Sequence, residues 1–263
     1  MQKKNDLLKA IFSLQNKLQF ILAIDSGNTN NRFSLFDREK NAFIIEYEKD
    51  FSKLTPFGLN DENTIAVQSA VIENPDTPDF KIHLYPHEFR QENQFFDMPI
   101  HYAKTLGEDR LVGAFEIFKQ YPQEKNLLID SGSFTTADLI SSQGFMGGYI
   151  FPGKMLLEKT YAQGAKLHQA NIVDFSSALP QMTNDAISHG AFLSFIAPLF
   201  YLIETLKPDR IILTGFNANL IKKALEEYQK FESNRLLLSP NLILKALTTF
   251  AMGVINYAHS SGR

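Results

Sequence analysis

Residues 21–32 read ILAIDSGNTNNR and residues 127–138 read LLIDSGSFTTAD. In each, an apolar run stops at an aspartate, passes Ser-Gly and continues through small polar residues into a second extended segment. One such string is an ordinary strand end, because Asp, Ser and Gly commonly close strands. Two in matching context point to a structural repeat. A repeat constrains the fold, since each half must build a sheet around its own copy.

The flanking pattern agrees with that reading. Phe20–Asp25 predicts a buried strand, Arg32–Asp37 its hairpin partner and Ala42–Tyr47 a third strand. Thr64–Val71 and Phe80–Tyr85 are further strand candidates, joined by the turn-rich NPDTPD at 74–79. Leu111, Val112, Phe115 and Phe118 recur at helical spacing and predict a helix over Glu108–Gln120. After the polar break YPQEKN (121–126), Leu127–Asp130, Thr135–Ile140 and Phe145–Phe151 repeat strand, hairpin partner and third strand. A mostly helical stretch from Gly153 to Leu206 follows, broken near 178–180. Then come a strand at Arg210–Thr214, a helix at Ala218–Phe231 and a closing helix at Asn241–His259. The expected division is a helical extension over 1–18, a first domain over 19–125 and a second over 126–263.

Composition narrows the function classes. The 263 residues are 44% hydrophobic and 21% charged, enough for two globular cores. A net charge of −3 gives no electrostatic case for nucleic acid. The absence of cysteine excludes disulfides and thiolate metal sites, and a reducing cytoplasm is the expected setting. Lys9, Gln15, Asn16 and Lys17 interrupt the apolar positions of the first segment, which reads as an amphipathic helix rather than a signal peptide. No membrane span is expected, because no run of 18 apolar residues occurs. His83 and His87 have metal-like spacing, but Pro86 lies between them and no third ligand is apparent.

The two loops suit phosphate. A glycine after the strand lets backbone N–H groups converge on one concavity that attracts anions. Asn28, Thr29, Ser133 and Thr136 add neutral donors, and Ser26 and Gly132 lie in the same turns. The acid fits once a cation is included, because a carboxylate can hold Mg²⁺ that bridges phosphate oxygens. Neither a Walker A loop nor a Rossmann glycine fingerprint occurs.

Between the loops, LGEDR (106–110) opens the predicted helix. Gly107 as a cap with Glu108 and Asp109 in the first turn is one account of it. The other is chemical: Asp109 takes a hydroxyl proton, and Arg110 holds a substrate carboxylate with its planar fork.

Two Asp-x-Gly hairpins in duplicated halves resemble the acetate and sugar kinase, Hsp70 and actin superfamily. That resemblance implies an α/β chain of two ribonuclease-H-like domains, each a mixed sheet with helices, around a nucleotide cleft. DSGNTNNR (25–32), LGEDR (106–110), DSGSFTTAD (130–138), GGYIFPG (147–153) and TNDAISHG (183–190) occur in one order. Together they resemble the type III pantothenate kinases, the family that includes the Bvg accessory factor proteins, over about residues 20–255.

The resemblance implies ATP-dependent phosphorylation of pantothenate, the first step towards coenzyme A. It assigns Asp25, Ser26, Gly27, Asn28, Thr29 and Arg32 to the ATP phosphates, with Mg²⁺ held by Asp25 through them. Gly132, Ser133 and Thr136 fall to the second phosphate loop, and Asp130 to a monovalent cation, K⁺ or NH₄⁺. Gly107, Glu108, Asp109, Arg110 and Thr183 fall to pantothenate, with Asp109 as proton acceptor. For Thr183, a plain helix N-cap is an equal account. A homodimer is implied as well. Ala191–Leu206 reads equally as its interface or as a buried core helix.

Departures leave rivals open. Phe134 stands where a small residue is usual. Ile100 and Ala103 replace a Tyr and a Pro, with Tyr102 a substitute for the former. TGFN (214–217) replaces Thr-Gly-Gly-Asp. These favour a non-catalytic regulator binding nucleotide or pantothenate, or a kinase with another small carboxylate-bearing acceptor.

Overall fold

The computed structural model describes residues 2–14, 16–27, 30–70, 77–164, 179–228 and 232–261. It separates into two compact units. Unit 1 is Met1–Gln120, Gln143–Phe145 and Asn241–Arg263, and unit 2 is Tyr121–Ser142 and Met146–Pro240.

In unit 1, helix α1 (Gln2–Leu14) precedes strand β1 (Phe20–Ser26), whose apolar run is buried along its whole length. Strand β2 (Asn31–Asp37) returns antiparallel, and β3 (Ala42–Glu48) pairs on its far side. A 3₁₀ segment at Phe51–Phe57 leads to β4 (Thr64–Ala70), which lies parallel to β1, and β5 (His83–Leu84) lies parallel to β4. The order is β3-β2-β1-β4-β5. The expected strand over Phe80–Tyr85 shrinks to two residues, because Pro86 opens a 3₁₀ turn directly after it.

Strands β6 (Arg90–Gln91), β7 (Gln94–Phe95) and β8 (Met98–Pro99) form a small antiparallel sheet absent from the sequence reading. Helix α2 (Glu108–Gln120) follows with the predicted bounds, acids in its first turn and Lys119 in its last, as the helix dipole favours.

The C-terminal helix Leu242–Ser261 packs on α1, α2 and β1 in unit 1, whereas the sequence reading set it in the second half. Phe250 is what anchors it, meeting the rings of Phe89, Phe95 and Phe96, two of which also meet Phe115. This aromatic cluster takes up five of the chain's 23 phenylalanines. An amphipathic helix shows which of its faces is apolar and leaves open which of two similar sheets it covers.

Unit 2 repeats the programme. Strands β9 (Asn126–Ser131), β10 (Phe134–Ser141) and β11 (Gly144–Pro152) are followed by helices α3 (Lys154–Tyr161) and α4 (Thr183–Leu206). Strand β12 (Arg210–Thr214), helix α5 (Ala218–Tyr228) and β13 (Leu236–Leu238) complete it. The order β11-β10-β9-β12-β13 has the sense of unit 1, with an antiparallel β9–β10 hairpin and parallel β9–β12 and β12–β13 pairs. Each unit is therefore a ribonuclease-H-like sheet, with its Asp-Ser-Gly loop at the end of the central strand.

Among the described residues, α4 is the one helix long and apolar enough to cross a membrane. Its buried residues Ala191, Phe192, Phe195, Ile196, Leu199, Leu202 and Ile203 join the core of unit 2 with Ile129 and Leu213. Leu193 and Tyr201 remain exposed on its other side.

Candidate active site

Strand β1 carries Asp25 to the edge of the first loop, where the carboxylate is 2% exposed. Its register places it opposite Arg32 on β2 and Ser69 on β4. Arg32 pairs with it at 2.5 Å, and the Ser69 hydroxyl donates to it at 3.2 Å. Burial pushes the Asp25 carboxyl above the usual carboxylate range. The Arg32 guanidinium and the Ser69 hydroxyl oppose that rise, and the Asp109 carboxylate adds to it. Two acidic motifs far apart in sequence thus feel each other's charge within unit 1.

The first loop divides its labour. Ser26 is fully buried and its hydroxyl accepts from Gln68 at 3.0 Å, so its side chain serves the fold and not a phosphate. Gly27 keeps an ordinary φ, and a Cβ there would make only van der Waals contact with Asn30 and Arg32. The conformational freedom expected of this glycine is not used. Asn28 and Thr29 lie outside the described residues.

The acceptor motif is more tightly determined. A Cβ at Gly107 would sit 2.6 Å from Asp109 Oδ1, so any side chain there would displace the carboxylate. The Arg110 amide donates to the same oxygen at 2.8 Å. The Glu108 carboxylate accepts from Ala70 N–H at 3.1 Å and His87 N–H at 3.0 Å, and meets His87 Nδ1 at 2.5 Å. These bonds fix both Glu108 oxygens on the protein at the edge of the cavity described below.

The buried Arg110 guanidinium lies over the rings of Tyr102 and Phe145, at 5.2 and 5.8 Å from their centroids. Ile100 bridges to Phe145 and is buried, so its place as a substitute for Tyr is structural. Tyr102 instead brings an aromatic ring to the arginine. A cavity of about 680 Å³ opens beside Gly107 and Glu108, lined also by Gln68, Tyr85 and Leu106. Its size is that of small-molecule sites.

In unit 2, Asp130 faces Thr136 across the hairpin and Thr214 on β12. A Cβ on Gly215, whose φ is +85°, would lie 2.4 Å from Asp130 Oδ1 and 2.6 Å from the Ser131 carbonyl oxygen. Asn217 supports the same turn. Its backbone N–H donates to the Ser131 carbonyl at 3.0 Å and its buried amide reaches Ser131 Oγ at 3.3 Å. The departure at 217 thus becomes a structural support of the second loop.

Gly153 donates to the Ser133 carbonyl at 3.1 Å, and a Cβ on it would strike the carbonyls of Gly132 and Ser133. Around Gly132 a Cβ would meet nothing within 4 Å. Phe134 is 47% exposed and Phe216 is 94% exposed, so neither ring is committed to a core. Thr183 opens α4 but does not cap it: the cap is Met182, without a side-chain bond. The exposed Thr183 hydroxyl is thereby left for another role.

The sequence does not show the structural roles of Ser69, Gly153, Gly215, Asn217 and His87, although all but Ser69 lie in the motifs singled out above. Gly215 and Asn217 had a signal, in the turn closing β12. Ser69 and His87 had none, because a lone residue across a parallel strand pair or in a 3₁₀ turn carries no spacing rule. His83 stacks on Tyr85 at 4.8 Å and His87 serves Glu108. No cluster of three or more metal-ligating side chains occurs among the described residues. That suits a Mg²⁺ held by one carboxylate and phosphates, since Mg²⁺ seldom uses an all-protein cage.

The model of the type III pantothenate kinase family matches residues 21–205. The chain is 27% identical to the type III pantothenate kinase of Flavobacterium johnsoniae over 246 residues, covering 87% of this chain and 96% of that one. It is 29% identical to the type III pantothenate kinase of Phenylobacterium zucineum, covering 81% and 92%. Among solved structures it is similar to a putative Baf family transcriptional activator from Campylobacter jejuni, with a TM-score of 0.56, 21% identity and coverage of 89% and 99%. A putative 2-dehydro-3-deoxygalactonokinase from Sinorhizobium meliloti gives a TM-score of 0.54 at 12% identity, covering 92% and 98%. These two structures bear on the fold alone.

Proposed function

The chain belongs to the type III pantothenate kinase family, and on that premise we propose how its own residues divide the work. It is a kinase that phosphorylates pantothenate with ATP, the first step of coenzyme A synthesis. One observation carries the residue assignment: the end of β4 holds Asp25 through Ser69 at 3.2 Å and the start of α2, where Asp109 lies, through the Ala70–Glu108 bond at 3.1 Å. A proton acceptor is thus held beside the loop proposed for phosphate.

The pantothenate hydroxyl attacks the γ-phosphorus, its proton passes to the Asp109 carboxylate, and the bond to the ADP oxygen breaks. Gly107 leaves room for that carboxylate, and Arg110, steadied on Tyr102, pairs with the substrate carboxylate. The cavity beside Gly107 receives the acceptor, and Thr183 is a further candidate for contact with pantothenate. Asp25, Gly27, Asn28, Thr29 and Arg32 hold phosphates in unit 1. Gly132, Ser133 and Thr136 do so in unit 2, where Asp130 takes K⁺ or NH₄⁺. Asp25 would hold Mg²⁺ together with the phosphates, and the ion would supply neutralising charge to the transferring group. We place the kinase in the cytoplasm as a homodimer, with the exposed Leu193 and Tyr201 of α4 as candidates for the contact.

Turnover of pantothenate with ATP, compared in K⁺, NH₄⁺ and Na⁺, tests this reading. Turnover supported by the first two and weak in Na⁺ is expected. Equal rates in all three would remove the cation from Asp130.

A further inference from the structure

Glu108 carries the inference that reaches furthest. It occupies the variable position of Gly-x-Asp-Arg, directly before Asp109, with its side chain only 11% exposed. A carboxylate accepting two backbone N–H groups and an imidazole is strongly fixed, because charge-assisted bonds are about twice as strong as neutral ones. Its anchors are informative. Ala70 is the last residue of β4 and follows Ser69, which holds Asp25. One strand end therefore fixes both carboxylates, Asp25 through Ser69 and the start of α2 through Glu108. His87, at the 3₁₀ turn after β5, closes over the second anchor.

We propose that Glu108 and His87 form a positioning pair that sets the separation of Asp109 from Asp25. Both carboxylate oxygens of Glu108 are bonded to the protein, one to Ala70 N–H and the other to His87. Glu108 acts through Asp109, and the inference rests on Asp109 being the proton acceptor. A misplaced reacting group costs about 10²-fold in rate for a shift of about 1 Å.

Steady-state kinetics of Glu108→Ala, Glu108→Gln, His87→Ala and the Glu108→Ala/His87→Ala double variant test the pair, with Asp109→Asn measured beside them. Glu108→Ala is expected to lower kcat by about 10²-fold, with KM for ATP and for pantothenate changed by less than about threefold. Glu108→Gln keeps one acceptor oxygen and sets an NH₂ donor against the other amide, because Ala70 N–H and His87 N–H bond different oxygens, so it should recover only part of that loss. His87→Ala keeps its backbone donor, so its kcat loss should be milder, about tenfold, and should vanish in the Glu108→Ala background.

Three results would overturn the pair: a loss confined to KM for pantothenate, multiplying losses in the double variant, or wild-type kcat in Glu108→Ala. Full turnover in Asp109→Asn is a separate failure, that of the proton acceptor. Melting temperatures of all five variants above the assay temperature keep unfolding out of the comparison.

Discussion

Asp25 and Asp130 end the central strands of two sheets with the same order, and both are followed by Ser-Gly. Their surroundings have diverged. Asp25 is buried, paired with Arg32 and pushed upward in pKa by burial and Asp109. Asp130 is half-buried, and the backbone of a neighbouring turn crowds it at Gly215. The first environment suits a carboxylate that shares one region with other charges. The second suits a carboxylate whose position is set by packing. A duplicated fold thus keeps the strand end and varies what faces it.

The largest expected effect breaks the comparison on the first side. Asp109→Asn removes the proposed proton acceptor and a negative charge that bears on Asp25. Turnover should fall by about 10²–10⁴-fold. In the same variant the Asp25 carboxyl should titrate lower than in the wild type, because a like charge has gone. Carbon-detected NMR of the aspartate carboxyls reads that shift directly. An unmoved Asp25 would mean that the two carboxylates do not interact.

Gly215→Ala is the corresponding probe of the second side. A Cβ at φ +85° is strained in itself and collides with Asp130 Oδ1. The backbone term alone is about 1–3 kcal/mol. The melting temperature should fall, and activation by K⁺ should weaken more than KM for pantothenate. Equal loss of both would mean that the turn supports the whole unit and not Asp130 in particular.

Much of this division was legible in the sequence, and the reasons it stopped are physical. The repeat, the α2 bounds and β12 follow from periodicity and from short apolar runs that local chemistry alone satisfies. Asp25, Asp109 and Asp130 were found because charged residues at strand and helix ends are conspicuous. The bonds that fix Glu108 were not legible, since its partners Ala70 and His87 arrive from elements that only the sheet brings near. The small sheet at residues 90–99 has two-residue strands, too short for any alternation to register. Asn217 looked like the loss of an acidic ligand and is instead a hydrogen-bonding support.

Asp25→Asn sharpens the contrast through stability. The folded pKa of Asp25 lies above its ordinary 3.8, so its ionisation opposes folding. The stability from this group is complete below that ordinary value and is lost as pH rises through the raised folded one. Asn does not ionise, so the variant should melt higher than the wild type at pH 7, and the gap should close as pH falls towards 3.8. ATP binding should weaken in the same variant, the trade expected where a site holds a charge the fold resists. A variant that melts lower at pH 7 would show that the Arg32 pair outweighs the burial.

The smallest effect on stability concerns the glycines that first marked both loops. Gly27 and Gly132 have ordinary φ values, and a Cβ on Gly132 meets nothing within 4 Å. Gly132→Ala should therefore alter stability by less than about 0.5 kcal/mol, or raise it slightly by restricting the unfolded chain. Any functional loss then comes from what approaches the loop and not from the loop's own shape. KM for ATP should rise while the melting temperature stays constant, and Gly27→Ala should behave the same way beside Arg32. An unchanged KM for ATP in both would mean that no phosphate comes within reach of either glycine, and the two Asp-Ser-Gly strings would then be equivalent only as turns.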